Sequence, residues 1–207
     1  MTTLSLARHN ALYAPAKLDL ACGQLKRSDD FVGLDITAEG TLADIVCDLL
    51  ETPWPIETNC VEELVCSHFV EHIPHWRPGW TRDGWWRFFD EVWRIVKPGG
   101  RVEIIHPYCQ SSRAFWDPTH ERYIHEATWF YLNAEWRRQQ ELSHYPTEVD
   151  FEVVAMDGMG ISDELAARNA EHQQFARAHY WNSIPDLRVV LKSLKPGAEE
   201  VSQNGAS

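Results

Sequence analysis

At 207 residues, with 44% hydrophobic and 24% charged side chains, the chain has the length and ordinary composition of one well-buried globular domain. Its net charge of −12 opposes binding along a phosphate backbone, which is driven by clustered Lys and Arg. The five cysteines form no CxxC pair, which argues against a disulfide framework or a cysteine zinc site, and no stretch approaches the roughly twenty apolar residues of a membrane span. The first residues, MTTLSLARHNALYAPAK, show no apolar core or cleavage signature, so a cytoplasmic protein is expected. In chain order, KLDLA is an apolar run closed by a small-residue turn, and FVGLDI, ADIVCDL and EELVCSH read as strands two to four. The crossover between the first two is so short that its helix has room for two turns at most. In DGWWRFFDEVWRIVKPGGR, residues Trp85, Phe88, Phe89, Val92, Trp93 and Val96 recur at helical spacing, and Lys97 to Gly100 read as the stop signal. RVEIIHPY is a fifth strand, 107–150 an aromatic-rich insertion, and FEVVAM a sixth strand. A helix is expected over about 163–179, then DLRVVLKSL as the seventh strand, with 195–207 a frayed tail. Strands alternating with helices predict a single α/β domain, a doubly wound, mostly parallel sheet of seven strands.

The carboxyl ends of the first four strands carry Ala21-Cys22-Gly23, Asp35, Asp48 and Ser67-His68, which a parallel sheet would gather in one crevice at its switch point. Gly23 lets backbone approach a ligand closely. Asp35 is placed to accept from both hydroxyls of a ribose, and Asp48 from an exocyclic amine. The two further glycines that admit a pyrophosphate are absent, so a nucleoside without phosphates suits this turn better than a dinucleotide.

KLDLACG, FVGLDI, DIVCDL, CSHFVEHI and VWRIVKPGGRVEI resemble, in order and spacing, the motifs of class I S-adenosylmethionine-dependent methyltransferases over about residues 17–105. The resemblance implies a Rossmann-like fold and S-adenosyl-L-methionine as cofactor. It places Asp19 and the Ala21-Cys22-Gly23 turn by the methionine moiety, Asp35 (with Ile36) at the ribose, Asp48 (with Leu49) at the adenine, and Ser67-His68 beneath the sulfonium. Ala21 stands where the family usually has glycine, and the first crossover is shortened, as in a compact subgroup where PWP and a DPTHER-like stretch recur. The implied activity is methyl transfer to a nitrogen, oxygen or carbon of a small or medium acceptor. A cofactor-binding sensor without turnover is the alternative, and the missing glycines disfavour an oxidoreductase.

The insertion begins above the expected methyl donor, and the segment 106–145 holds nine aromatic residues and four of the ten histidines, which suits a lid that orients the acceptor and excludes water. His106, Asp117 and His120 are the candidate bases, and Tyr108 and Arg113 the candidate acceptor contacts. Asp117 has a plainer reading, as the cap of a helix starting near Thr119 or His120. Trp129, Tyr131, Trp136 and Tyr145 pack the lid, or serve as the face of a homodimer. His68 and His72 at i, i+4 suggest a metal pair, but Glu71 is adjacent to the second histidine rather than the first, unlike the zinc-protease pattern, and no metal is expected.

Overall fold

The computed structural model describes residues 12–196. Seven strands form one sheet: β1 (Lys17–Leu20), β2 (Val32–Asp35), β3 (Ile45–Val46), β4 (Val61–Ser67), β5 (Val96–Pro107), β6 (Phe151–Met159) and β7 (Asp186–Ser193). Their order is β3-β2-β1-β4-β5-β7-β6. β1 to β5 run parallel, while β7 is antiparallel to both β5 and β6. The order reverses between β1 and β4, so a crevice opens at the carboxyl ends of these two strands.

The helix α1 (Gly84–Ile95) starts where the Asp83 carboxylate accepts from the Trp85 N–H, an N-cap that satisfies one of the free donors of the first turn. Its apolar stripe is buried, with Phe88, Phe89, Val92 and Ile95 at most 1% exposed. Trp54, from the TPWP turn, meets this stripe edge-on at Phe88, and the Glu91 carboxylate accepts its backbone N–H. The insertion contributes α2 (Arg113–Trp116), a 3-10 segment (Glu126–Leu132) and α3 (Ala134–Gln139). Trp129 is fully buried against Trp85, Phe89 and His106. This end of the insertion is therefore part of the core rather than a hinged lid.

Several elements differ from the sequence expectation. No helix forms between β1 and β2: residues 24–30 are turns and bends. Its composition, QLKRSDD, offers only Leu25 as an apolar anchor, and that side chain is exposed. β3 is reduced to two residues. α1 ends at Ile95 rather than at Lys97, because Val96 already pairs with Val61 as the start of β5. The 163–179 helix is two helices, α4 (Asp163–Ala166) and α5 (Ala170–His179), each with its own cap, Ser162 and Asn169. No helix starts at Thr119 or His120: residues 117–125 are a turn and irregular chain. Lys195 is not frayed: its ammonium donates to Asn59 Oδ1, Arg94 O and Val96 O. The rest of the expected tail, 197–207, lies outside the described residues. Among those residues no helix is long and apolar enough to cross a membrane.

Candidate active site

At the end of β1 the backbone turns sharply, with left-handed φ at Ala21 (52°) and Gly23 (54°). The turn is fixed by Asp35 at the end of β2. One carboxylate oxygen accepts from Gly23 N at 2.9 Å and the other from Ile36 N at 2.7 Å. Each oxygen keeps a second lone pair, so the carboxylate can still accept two hydroxyls. Ile36 is 65% exposed beside it, an apolar surface at the mouth of the turn. A Cβ on Gly23 would meet nothing within 4 Å, so the space over the turn is open.

A cavity of about 540 Å³ adjoins this turn, lined by Asp19, Ala21, Cys22, Gly23, Arg27 and Ser67 among others. Asp19 is almost covered and accepts from Arg27 N at 2.6 Å, which secures the short crossover. Burial raises its carboxyl above the ordinary value. Burial likewise pushes the Cys22 thiol up to about 11, so it lines the cavity as a neutral, small apolar group. Of the sequence-derived cofactor residues, Asp19, Ala21, Cys22, Gly23 and Ser67 line this cavity, and Asp35 is tied to its edge through Gly23.

No family model matches the chain, and no curated protein matches it in sequence. Solved structures do match in shape. A SAM-dependent methyltransferase from Archaeoglobus fulgidus has a TM-score of 0.58 at 18% identity, covering 87% of this chain and 88% of that one. A SAM-dependent methyltransferase from Methanosarcina mazei has 0.52 at 15%, covering 91% and 97%. Geranyl diphosphate C-methyltransferase from Streptomyces coelicolor, solved with Mg2+, geranyl-S-thiolodiphosphate and S-adenosyl-L-homocysteine, has 0.50 at 14%, covering 89% and 72%. The fold is that of the SAM-dependent methyltransferases.

Within this methyltransferase fold the remaining candidates separate. Asp48 does not line the cavity. Its Oδ1 accepts from Leu50 N at 2.9 Å and its Oδ2 faces Arg77 at 3.6 Å, while Leu49 is buried. His68 closes β4 with left-handed φ (53°), and the Glu71 carboxylate 3.3 Å away raises its ring above the ordinary value. Tyr108 is buried, its hydroxyl donating to Glu126. Arg113 pairs with Asp186 at 2.5 Å rather than standing free for a ligand.

The three candidate bases have different fates. His106 is fully covered, packed on Trp129, with Nδ1–H donating to Pro107 O; burial pulls its ring down to about 4. It therefore stays neutral near pH 7, is sealed from solvent and does not fit the part of a base. Asp117 accepts from both the N–H and the hydroxyl of Thr119, which hold its carboxyl below the ordinary value, so it ties a turn. His120 is half-buried and lies against His72, which the sequence did not connect with it. Sequence reasoning also passed over Asp186, buried at the start of β7 beside Arg113; no spacing signal linked it to β4, because β7 arrives from the far end of the chain.

A second cavity, about 670 Å³, opens between α1 and the insertion, with Trp85, Trp86, Tyr131 and Tyr145 on its walls and Asp83 and Arg122 among its charged groups. Tyr131 and Tyr145 of the insertion therefore wall a hollow, whereas Trp129 builds the core.

Proposed function

We propose that the chain is a methyltransferase that takes a methyl group from S-adenosylmethionine to a nitrogen, oxygen or carbon of a small or medium acceptor. S-adenosylmethionine supplies a methyl group on an electrophilic sulfonium. The residues fit such a group. Asp35 has two lone pairs left for the ribose hydroxyls, the Ala21–Gly23 turn leaves open space without side-chain intrusion, and the cavity beside Asp19 and Ser67 takes the methionine end. Asp48, with one oxygen held by its own turn and one opposite Arg77, is a weaker candidate for the adenine amine. The acceptor belongs over the ends of β4, β5 and β7, where His68, Glu71, Arg113 and Asp186 gather opposite charges that orient it and take up a proton.

The observation that carries this reading is the Asp35 carboxylate clamped to the Gly23 turn. The test is calorimetric binding of S-adenosylhomocysteine to the wild type and to Asp35→Ala. The wild type is expected to bind, and the variant to bind ten- to a hundredfold more weakly, about 1.5–3 kcal/mol for hydrogen bonds to a charged group. Unchanged binding in the variant, or tighter binding of NAD than of S-adenosylhomocysteine, removes the reading. Turnover of labelled S-adenosylmethionine with candidate acceptors separates an enzyme from a sensor.

A further inference from the structure

Beyond the end of β4, one ligand atom from each of Glu71, His72 and His120 lies within 4.8 Å of the other two. Two local devices bring them together. A single 3-10 turn, Val70–His72, places Glu71 and His72 in succession. The Glu71 carbonyl then accepts from Glu121 N at 2.8 Å and Arg122 N at 3.0 Å, which pins the DPTHER stretch across the turn. Arg122 completes the fastening, donating to Ile73 O at 2.6 Å and pairing with Asp83 at 2.7 Å.

The hydrogen bonds around the two rings decide which nitrogens are free. His120 Nδ1 stands 2.9 Å from Ala114 O, and a carbonyl only accepts, so that nitrogen carries the proton. His72 Nδ1 stands 3.0 Å from Thr119 Oγ1, whose own proton is given to Asp117 at 2.6 Å, so the His72 Nδ1 is also the donor. Each ring is left with its lone pair on Nε2. Metal-binding histidines are oriented in this manner, by an outer acceptor on the other nitrogen.

The third member gives an independent sign. Glu71 is 2% exposed, and neither carboxylate oxygen meets hydrogen-bond geometry with a described residue, although His68 Nδ1 lies 3.3 Å from Oε1 as an ion-pair neighbour. Two imidazoles with free Nε2 lone pairs and a buried carboxylate thus gather at one place, an arrangement that a metal ion can bridge. We propose that Glu71, His72 and His120 bind a divalent transition-metal ion, Zn2+ being the reference case. Two imidazoles and one carboxylate suit Zn2+, Mn2+ or Fe2+ and disfavour Mg2+ and Ca2+, which take oxygen ligands. Ligand atoms about 2.0–2.2 Å from one ion stand roughly 3–3.5 Å apart, so small side-chain rotations close the site. The assignment goes beyond methyl transfer, sharing Glu71 with the acceptor side of the proposed site, and its test reads metal binding rather than turnover. Three protein ligands leave positions open to an exogenous oxygen or nitrogen.

The test uses the full-length protein stripped of metal, titrated with Zn2+ against a competing chelator and with Co2+ followed by visible absorption. One ion per chain is expected, with His72→Ala and His120→Ala each weakening binding at least tenfold and His172→Ala, at an exposed position on α5, leaving it unchanged. Circular dichroism reports whether each variant folds. Diethylpyrocarbonate labelling of the wild type, read by mass spectrometry, needs no variant: Zn2+ should protect both His72 and His120. Absence of stoichiometric binding, wild-type affinity in either alanine variant, or labelling of both rings unaffected by Zn2+ would overturn the proposal.

Discussion

His106 ends the core-facing series of β5: Val102, Ile104 and His106 are buried, whereas on the other side Arg101 and Ile105 are half-buried and Glu103 is covered by arginines. That period-two pattern is present in RVEIIHPY and marks His106 as an inward-facing residue. Its place at a strand end drew it instead into the list of bases. Asp35 was legible for the opposite reason: it closes its strand at the mouth of the crevice, where the nearest backbone donors are those of the turn it serves. A buried neutral histidine has a thermodynamic signature. Folded His106 takes a proton only near pH 4, the unfolded chain near 6.5, so between these values the unfolded chain binds more protons and stability falls as pH falls. The full window corresponds to about 3 kcal/mol. In His106→Leu that component disappears, and urea midpoints measured from pH 7 to pH 4 should decline less steeply than those of the wild type. Parallel declines would show that His106 is not the group responsible.

At the scale of elements, the short β1–β2 crossover replaces a helix with side-chain ties. Arg27 N donates to Asp19, Lys26 pairs with Asp44 at 2.9 Å, and Asp44 in turn accepts from Gly33 N at 2.7 Å. The sequence showed that a helix had little room. It did not show that four polar residues would do the helix's work, because these contacts join positions 8 to 18 apart that share no periodicity. The end of α1 was misplaced for a related reason. The apolar stripe runs on through Val96, and only the pairing of Val96 with Val61, a long-range contact, turns that residue into a strand. Gly33 is where the crossover is tightest: a Cβ there would meet Leu42 O at 2.7 Å and Cys22 Sγ at 2.8 Å. Gly33→Ala is therefore expected to cost on the order of 2–3 kcal/mol, as overpacking against backbone that cannot rotate away. Gly23→Ala meets no atom, and only its left-handed φ opposes it, at about 1 kcal/mol. Denaturant unfolding of the two variants should rank them in that order, and the reverse order would show that the crossover yields more easily than the packing implies.

At the scale of the whole molecule, the sheet face away from the α1 core is crossed by a ladder of ion pairs in strand order. Lys17 on β1 pairs with Glu63 on β4, Glu63 with Arg101 on β5, Glu103 with Arg101 and with Arg188 on β7, and Arg188 with Asp157 on β6. Arg27 reaches down from the crossover to Glu103 at 3.1 Å, so the ladder also anchors one wall of the crevice. Glu103 is its centre: fully covered, with three guanidiniums around it that remain 28–47% exposed. Burial pushes its carboxyl up, but the bonds from Arg188 and Arg101 outweigh this and hold it below the ordinary value. In the window between folded and unfolded values the unfolded chain holds the proton and the folded chain does not. Stability from this group is therefore complete at neutral pH and is lost as pH falls below about 4.5. Glu103→Gln keeps the shape and removes the charge, leaving the guanidiniums facing one another. Solvent at their outer ends screens that repulsion, so the expected loss at pH 7 is roughly 2 kcal/mol, less than for a fully enclosed pair. Because protonated glutamic acid and glutamine are close in shape and charge, the gap between the two proteins should shrink as pH falls below the ordinary glutamate value. A gap that stays constant from pH 7 to pH 3 would mean that packing at position 103, and not its charge, holds this face together.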